Sequence, residues 1–198
     1  MRNGTNVGRN LSMLVMGLFA IAFAIGITSV QADSASNDTR AGAPVTYVEK
    51  VDTLVRDGNT LNKAAANRAE AARALLSSVP DPSNNYAAAA DLYEQAAEQY
   101  KGAFKLTGDA KTKFDAADHL WNNPTDKDRH FAKKIADALK LRISYKNKAI
   151  ESYMNAAKER DKAGETSGSP KEKAIQKGYA ARNRESAVNM SDEASTSN

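Results

Sequence analysis

Five aromatic residues and two histidines carry most of the chemistry this chain has to offer. Tyr86, Tyr93 and Tyr100 recur at heptad spacing, and Phe114 and Trp121 continue the same register. On a helix that spacing stacks rings along one side, where they can line a cavity for a small ligand, meet another helix, or fill an interior. A ligand site needs convergent polar groups as well, and alanines stand between these rings, so core packing is the plainer expectation. His119 and His130 flank the turn at Asn122 to Thr125, with Asp115, Asp118 and Asp126 nearby in sequence. They are weak candidates for a metal or proton site. Neither His-x-x-x-His nor Glu-x-x-His occurs, and an exposed histidine with an aspartate one turn away accounts for His119.

Other chemistry finds little footing. Cysteine is absent, which removes thiol nucleophiles, thiolate zinc sites and redox pairs. There is no Gly-x-Ser-x-Gly, no glycine-rich phosphate loop and no carboxylate pair in an apolar setting. The expectation is a protein without catalytic residues and without a cofactor.

The element that positions the rings is legible in detail. Ala89, Ala96, Ala103, Ala110 and Ala117 alternate with the large residues, and Thr107 holds the remaining large position. This 3-4 alternation specifies one face of one helix, shaped for close approach of a neighbour. Leu92, Ala97, Phe104, Leu106 and Leu120 flank the seam. The register passes Gly102 and Gly108 without slipping, which predicts a single helix of about 39 residues, or about 58 Å at the α-helical rise. A break at Gly108 is the alternative, since an interior glycine costs about 1 kcal/mol relative to alanine.

Prolines divide the rest. Pro44, Pro80, Pro82, Pro124 and Pro170 fall at helix starts or in the loops before them, beside capping residues. A first helix, from about Pro44 to Val79, carries Val51, Leu54, Leu61, Ala65, Ala72 and Leu75 on one stripe that also passes through Gly58 and Arg68. Val48, Val55, Ala69 and Leu76 broaden that face enough for two neighbours. A third helix, from about Asp126 to Ala163, turns Phe131, Ile135, Ala138, Leu139, Tyr145, Ala149, Ile150, Tyr153, Ala156 and Ala157 inward. Gly164 to Ser169 reads as a turn. The fourth helix, from Pro170 to about Val188, offers Ala174, Ile175, Gly178, Ala181 and Ala187 or Val188, a thin face suited to an edge. Tyr86 to Tyr100 and Ala149 to Ala157 resemble the second helix of a tetratricopeptide unit, but the period of about 34 residues is absent and no repeat is read.

No alternating strand pattern occurs. The expected fold is therefore all-α: an elongated antiparallel bundle of three long helices plus a shorter fourth, spanning residues 44–188. A polar linker at 33–43 and a polar tail at 189–198 have little to bury and are expected to be disordered.

Ahead of the bundle, Arg2 and Arg9 precede an uncharged run from Leu11 to Val30 and a small-residue Val30-Gln31-Ala32 site. Residues 1–32 read as a signal peptide or, if uncleaved, a membrane anchor through residues 11–30. Localisation is then periplasmic or secreted. The segment holds two basic residues and no acid, so without it the net charge of +4 falls by two. Acids are interspersed with bases along the helices, which argues against nucleic acid as a partner. Lys111, Lys113, Lys127, Arg129, Lys133 and Lys134 gather near one turn, but Asp115, Asp118, Asp126, Asp128 and Asp137 dilute their field, as on a solvated helix face. The functional expectation is an exported, non-enzymatic scaffold or interaction protein with a protein partner or with itself. The alternative is an extracytoplasmic ligand-sensing or ligand-carrying bundle with an aromatic-lined cavity.

Overall fold

A computed structural model describes residues 46–80, 85–121 and 131–193, all within the unit Val45–Asn198. Four helices make up its regular structure: α1 (Tyr47–Ser77), α2 (Tyr86–Leu120), α3 (Phe131–Thr166) and α4 (Pro170–Asp192). The described residues contain no strand, so this part of the chain is all-helical. None of these helices is long and apolar enough to cross a membrane. The signal or anchor segment at 1–32, the linker at 33–43 and the final residues 194–198 lie outside the described residues.

Capping sets the starts. Thr46 and Glu49 form a reciprocal capping box: the Thr46 hydroxyl accepts from the Glu49 amide at 3.3 Å, and the Glu49 carboxylate accepts from the Thr46 amide at 2.7 Å. α1 therefore begins at Tyr47, three residues beyond Pro44. Asn85 caps α2 by accepting from the Ala88 amide at 3.1 Å. That makes α2 35 residues long, shorter than the sequence suggests. It runs unbroken through Gly108, where its stripe of small residues continues against the neighbouring helices.

α1 and α2 run antiparallel. Tyr47 stacks on Trp121 with ring centroids 6.0 Å apart, Val51 and Ala117 share a cluster with Phe131, and farther along Arg68 reaches Gln99. Between these points Gly58 lies against Phe114 so closely that a methyl there would stand 2.6 Å from the ring's Cε1. α2 and α3 are likewise antiparallel, with Tyr100 and Tyr145 stacked at 6.5 Å and the Arg142 guanidinium 4.6 Å from the Phe104 centroid. The main cluster joins Ala65, Ala69 and Ala72 of α1 to Ala96, Tyr100, Ala103 and Phe104 of α2 and to Tyr145, Ala149 and Tyr153 of α3. Small residues let the backbones approach, and the rings of α2 and α3 fill the remaining volume. Ala96 and Ala103 are fully buried in this cluster. Ala96→Leu and Ala103→Leu are each expected to destabilise by about 1 to 3 kcal/mol through overpacking, and unchanged melting in calorimetry would refute the close seam.

Three expectations are corrected. α3 does not stop before Gly164 but continues to Thr166, because Gly164 packs against α4: a Cβ there would meet the Gln176 Cβ at 3.4 Å and the Lys173 carbonyl at 3.5 Å. The connection shrinks to Ser167, Gly168 and Ser169, and the Ser169 hydroxyl caps α4 ahead of Pro170. α4 extends past Val188 to Asp192, since Met190 is buried in the main cluster. Of its expected inward face only Ala187 is buried. Gln176, Ala180, Asn183, Ala187 and Met190 are buried, whereas Ala174, Ile175, Gly178, Ala181 and Val188 are exposed. The reason is the neighbour: what α4 meets on α3 is an arginine, which rewards amides over alkyl groups.

Candidate functional site

The aromatic stripe divides along its length. Tyr100 and Phe114 are 2% and 1% exposed and belong to closed clusters. Trp121 is half-buried beside Val51, Ala117 and Phe131. Tyr86 and Tyr93 are half-buried at the opposite end of α2, where the Lys162 ammonium lies 5.5 Å from the Tyr86 centroid. The five residues therefore share one helix face but no common cavity. A cleft of about 460 Å³, open to solvent, touches only the first of them; Asn85, Tyr86, Ala87, Ala163, Thr166, Glu172 and Gln176 line it. A second shallow hollow of about 340 Å³ lies on α1 between Asp52 and Lys63, away from every ring of the stripe.

His119 is exposed in the last turn of α2, and Asp115, its neighbour one turn away, accepts instead from Lys111 at 2.7 Å. His130 lies outside the described residues. Among the described residues no group of three or more histidine, aspartate or glutamate side chains could hold a metal ion. The basic residues near this turn are interleaved with acids: Lys113 faces Asp57 at 4.0 Å and Lys133 faces Asp137 at 3.7 Å. Lys127 and Arg129 lie outside the described residues.

The most developed polar constellation is one that the sequence reading missed. Arg160 projects from the core face of α3 and is 6% exposed. Its Nη2 donates to Asp91, its Nε donates to Glu94 Oε1 at 3.1 Å, and its Nη1 donates to Gln176 Oε1 at 3.2 Å. Asn183 Nδ2 donates to the same Glu94 oxygen at 2.7 Å, and Gln176 Nε2 donates to Glu172 at 2.6 Å. The Tyr179 ring lies 4.8 Å from the guanidinium carbon. One cation thus ties α2, α3 and α4 together. Burial by itself lowers the Arg160 pKa, but hydrogen bonding to Glu94 and the charges of Asp91 and Glu94 outweigh it and hold the group above its ordinary value. Each guanidinium nitrogen has a partner, so its role in this geometry is to fix helix register.

About two turns earlier on α3, the Tyr153 hydroxyl donates to Glu98. Burial, followed by that hydrogen bond and the charges of Glu98 and Glu94, pushes the Tyr153 pKa far above the ordinary 10.0, and burial also raises Tyr100. A raised phenol favours the protonated form in the folded state. This contribution is fully present below pH 10.0, the ordinary value, and is lost as pH climbs through the folded value. Titration followed by tyrosinate absorbance should therefore show two of the seven tyrosines, Tyr100 and Tyr153, ionising late and together with alkaline unfolding. Ionisation of all seven in one ordinary step, with the fold intact, would contradict the burial.

The Arg160 group escaped the sequence because its charge partners lie a whole helix away, and an arginine in a lysine-rich helix reads as solvated. The one available signal was position: Arg160 continues the stripe through Tyr145, Ala149, Tyr153 and Ala156. Compared with protein-family models, curated proteins and solved structures, the chain matches none of them.

Proposed function

We propose that this chain is an exported, non-enzymatic scaffold or interaction protein of the periplasm or cell exterior, an elongated antiparallel helical bundle that works through its outer helical faces. One observation supports the reading above the others: the interior is spent on packing and register, while apolar side chains stand outside it. Ile143 and Met154 of α3 are 59% and 47% exposed and lie three turns apart on one side of that helix, and Val188 of α4 is 57% exposed beside the small residues Ala181 and Gly178. Long faces of this kind suit a second helix, from a partner or from another copy of the chain. Export rests on Arg2, Arg9 and the uncharged Leu11–Val30 run. The test is sedimentation of the protein purified from its native host, with mass analysis of the chain and of whatever accompanies it. A complex or dimer that weakens in Ile143→Ser or Val188→Ser, with melting unchanged, supports the proposal; a monomer with no companion overturns it.

The open cleft beside Tyr86 favours a second reading, a bundle that senses or carries a small ligand. Its size is in the range of small-molecule sites, and it offers an aromatic ring, a carboxylate and two amides. A small molecule that accompanies the native protein and is lost from Tyr86→Ala would favour this reading.

A further inference from the structure

α4 is attached to the rest of the fold differently from α2. α2 buries eleven residues, all apolar except Thr107, and α4 buries five, two of which are the amides Gln176 and Asn183. Its apolar hold consists of Ala180, Ala187 and Met190. The rest is polar: Gln176 on Arg160, Asn183 on Glu94, Arg184 paired with Asp161, and the Ser191 carbonyl accepting from Lys146 at 2.7 Å.

The charges are arranged so that α4 can leave without separating the buried ones. Both carboxylates that neutralise Arg160, Asp91 and Glu94, belong to α2. α4 contributes neutral amides and the Tyr179 ring to this group, and the ion pair Arg184 with Asp161, which links it to α3, is well exposed on the arginine side. Removing α4 therefore leaves Arg160 ion-paired, takes the Tyr179 ring off its guanidinium, and exchanges the two neutral amides for water. The helix also has a hinge of its own. Ser167, Gly168 and Ser169 lie outside both flanking helices, and Gly168 has open space around it.

We infer that α4 is a strap which opens and closes as one unit about Ser167–Ser169 while α1, α2 and α3 stay folded. Opening uncovers the part of the main cluster that Ala187 and Met190 seal, beside Tyr145, Ala149 and Tyr153. This goes beyond the scaffold reading and does not depend on it, because the motion belongs to the isolated chain.

Native-state hydrogen exchange on the full chain tests the strap with no partner present. The amides of 170–192 should exchange as one group, about tenfold or more faster than those of α2 between Ala96 and Ala117. Asn183→Ala should speed α4 exchange a further tenfold or more, equivalent to the loss of one hydrogen bond to a carboxylate, and leave the α2 amides unchanged. If α4 exchanges at the rate of α2, through global unfolding alone, or if Asn183→Ala accelerates all four helices equally, the strap is overturned. A monomeric sedimentation result would bear on the scaffold reading and leave this one standing.

Discussion

Phe114→Ala is expected to lower the free energy of unfolding by about 3 to 5 kcal/mol. The ring is 1% exposed, sits with Ala110 and Ala138 in a cluster that Leu61 and Ile135 flank, and presses against the bare backbone of Gly58. The Ala110 and Ala138 methyls beside it have no further reach to refill the space. The same contact makes a second, opposite test. Alanine at position 58 gains helix propensity of about 1 kcal/mol, but its methyl would lie 2.6 to 2.9 Å from three ring carbons. The expected sum for Gly58→Ala is a net loss of up to about 2 kcal/mol, since overpacking of this kind costs about 1 to 3. Adding Phe114→Leu should make Gly58→Ala neutral or favourable. Chemical denaturation of the two single variants and the double variant gives the coupling directly, and additive losses would mean that the glycine and the ring do not meet.

Arg160→Met is expected to cost about 2 to 3 kcal/mol. Removing one member of a buried ion pair costs about 3 to 5 kcal/mol where the partners are fully desolvated, but Asp91 and Glu94 keep 54% and 30% of their side-chain surface and recover part of their hydration. Arg160→Lys should restore little. An ammonium cannot reach Asp91, Glu94 and Gln176 from one planar group, and its stem leaves the Tyr179 ring without a flat partner. Urea denaturation of both variants measures this, and a loss below about 0.5 kcal/mol for either would place Arg160 among ordinary surface charges.

The helices from Tyr47 to Thr166 were legible because large and small residues alternate with little ambiguity of phase. Tyr100, Ala103, Thr107, Ala110 and Phe114 of α2, and Ala138, Tyr145, Ala149 and Tyr153 of α3, are all buried as their spacing requires. The phase of α4 was not legible. Two stripes of helical period can be drawn on it, one through Ala174, Gly178, Ala181 and Val188, the other through Gln176, Ala180, Asn183 and Ala187. Hydropathy selects the first, and the structure uses the second. What decides is a charge on α3 whose inward direction follows from the tertiary arrangement, with partners supplied by Asp91 and Glu94 from α2. For the same reason the candidate rings, correct as a helix face, did not define a site: a shared face brings side chains into line without bringing them together. Tyr86 meets a cleft, Tyr100 and Phe114 meet other core residues, and Trp121 meets Tyr47.

That last pairing has a practical consequence. Trp121 is the chain's single indole, and it lies against Tyr47 where the first described helix begins. Its emission is therefore a built-in optical gauge of that one end: undocking the first turn of α1 from the end of α2 would shift the wavelength, and events around Arg160 at the far end would leave it dark to the observer.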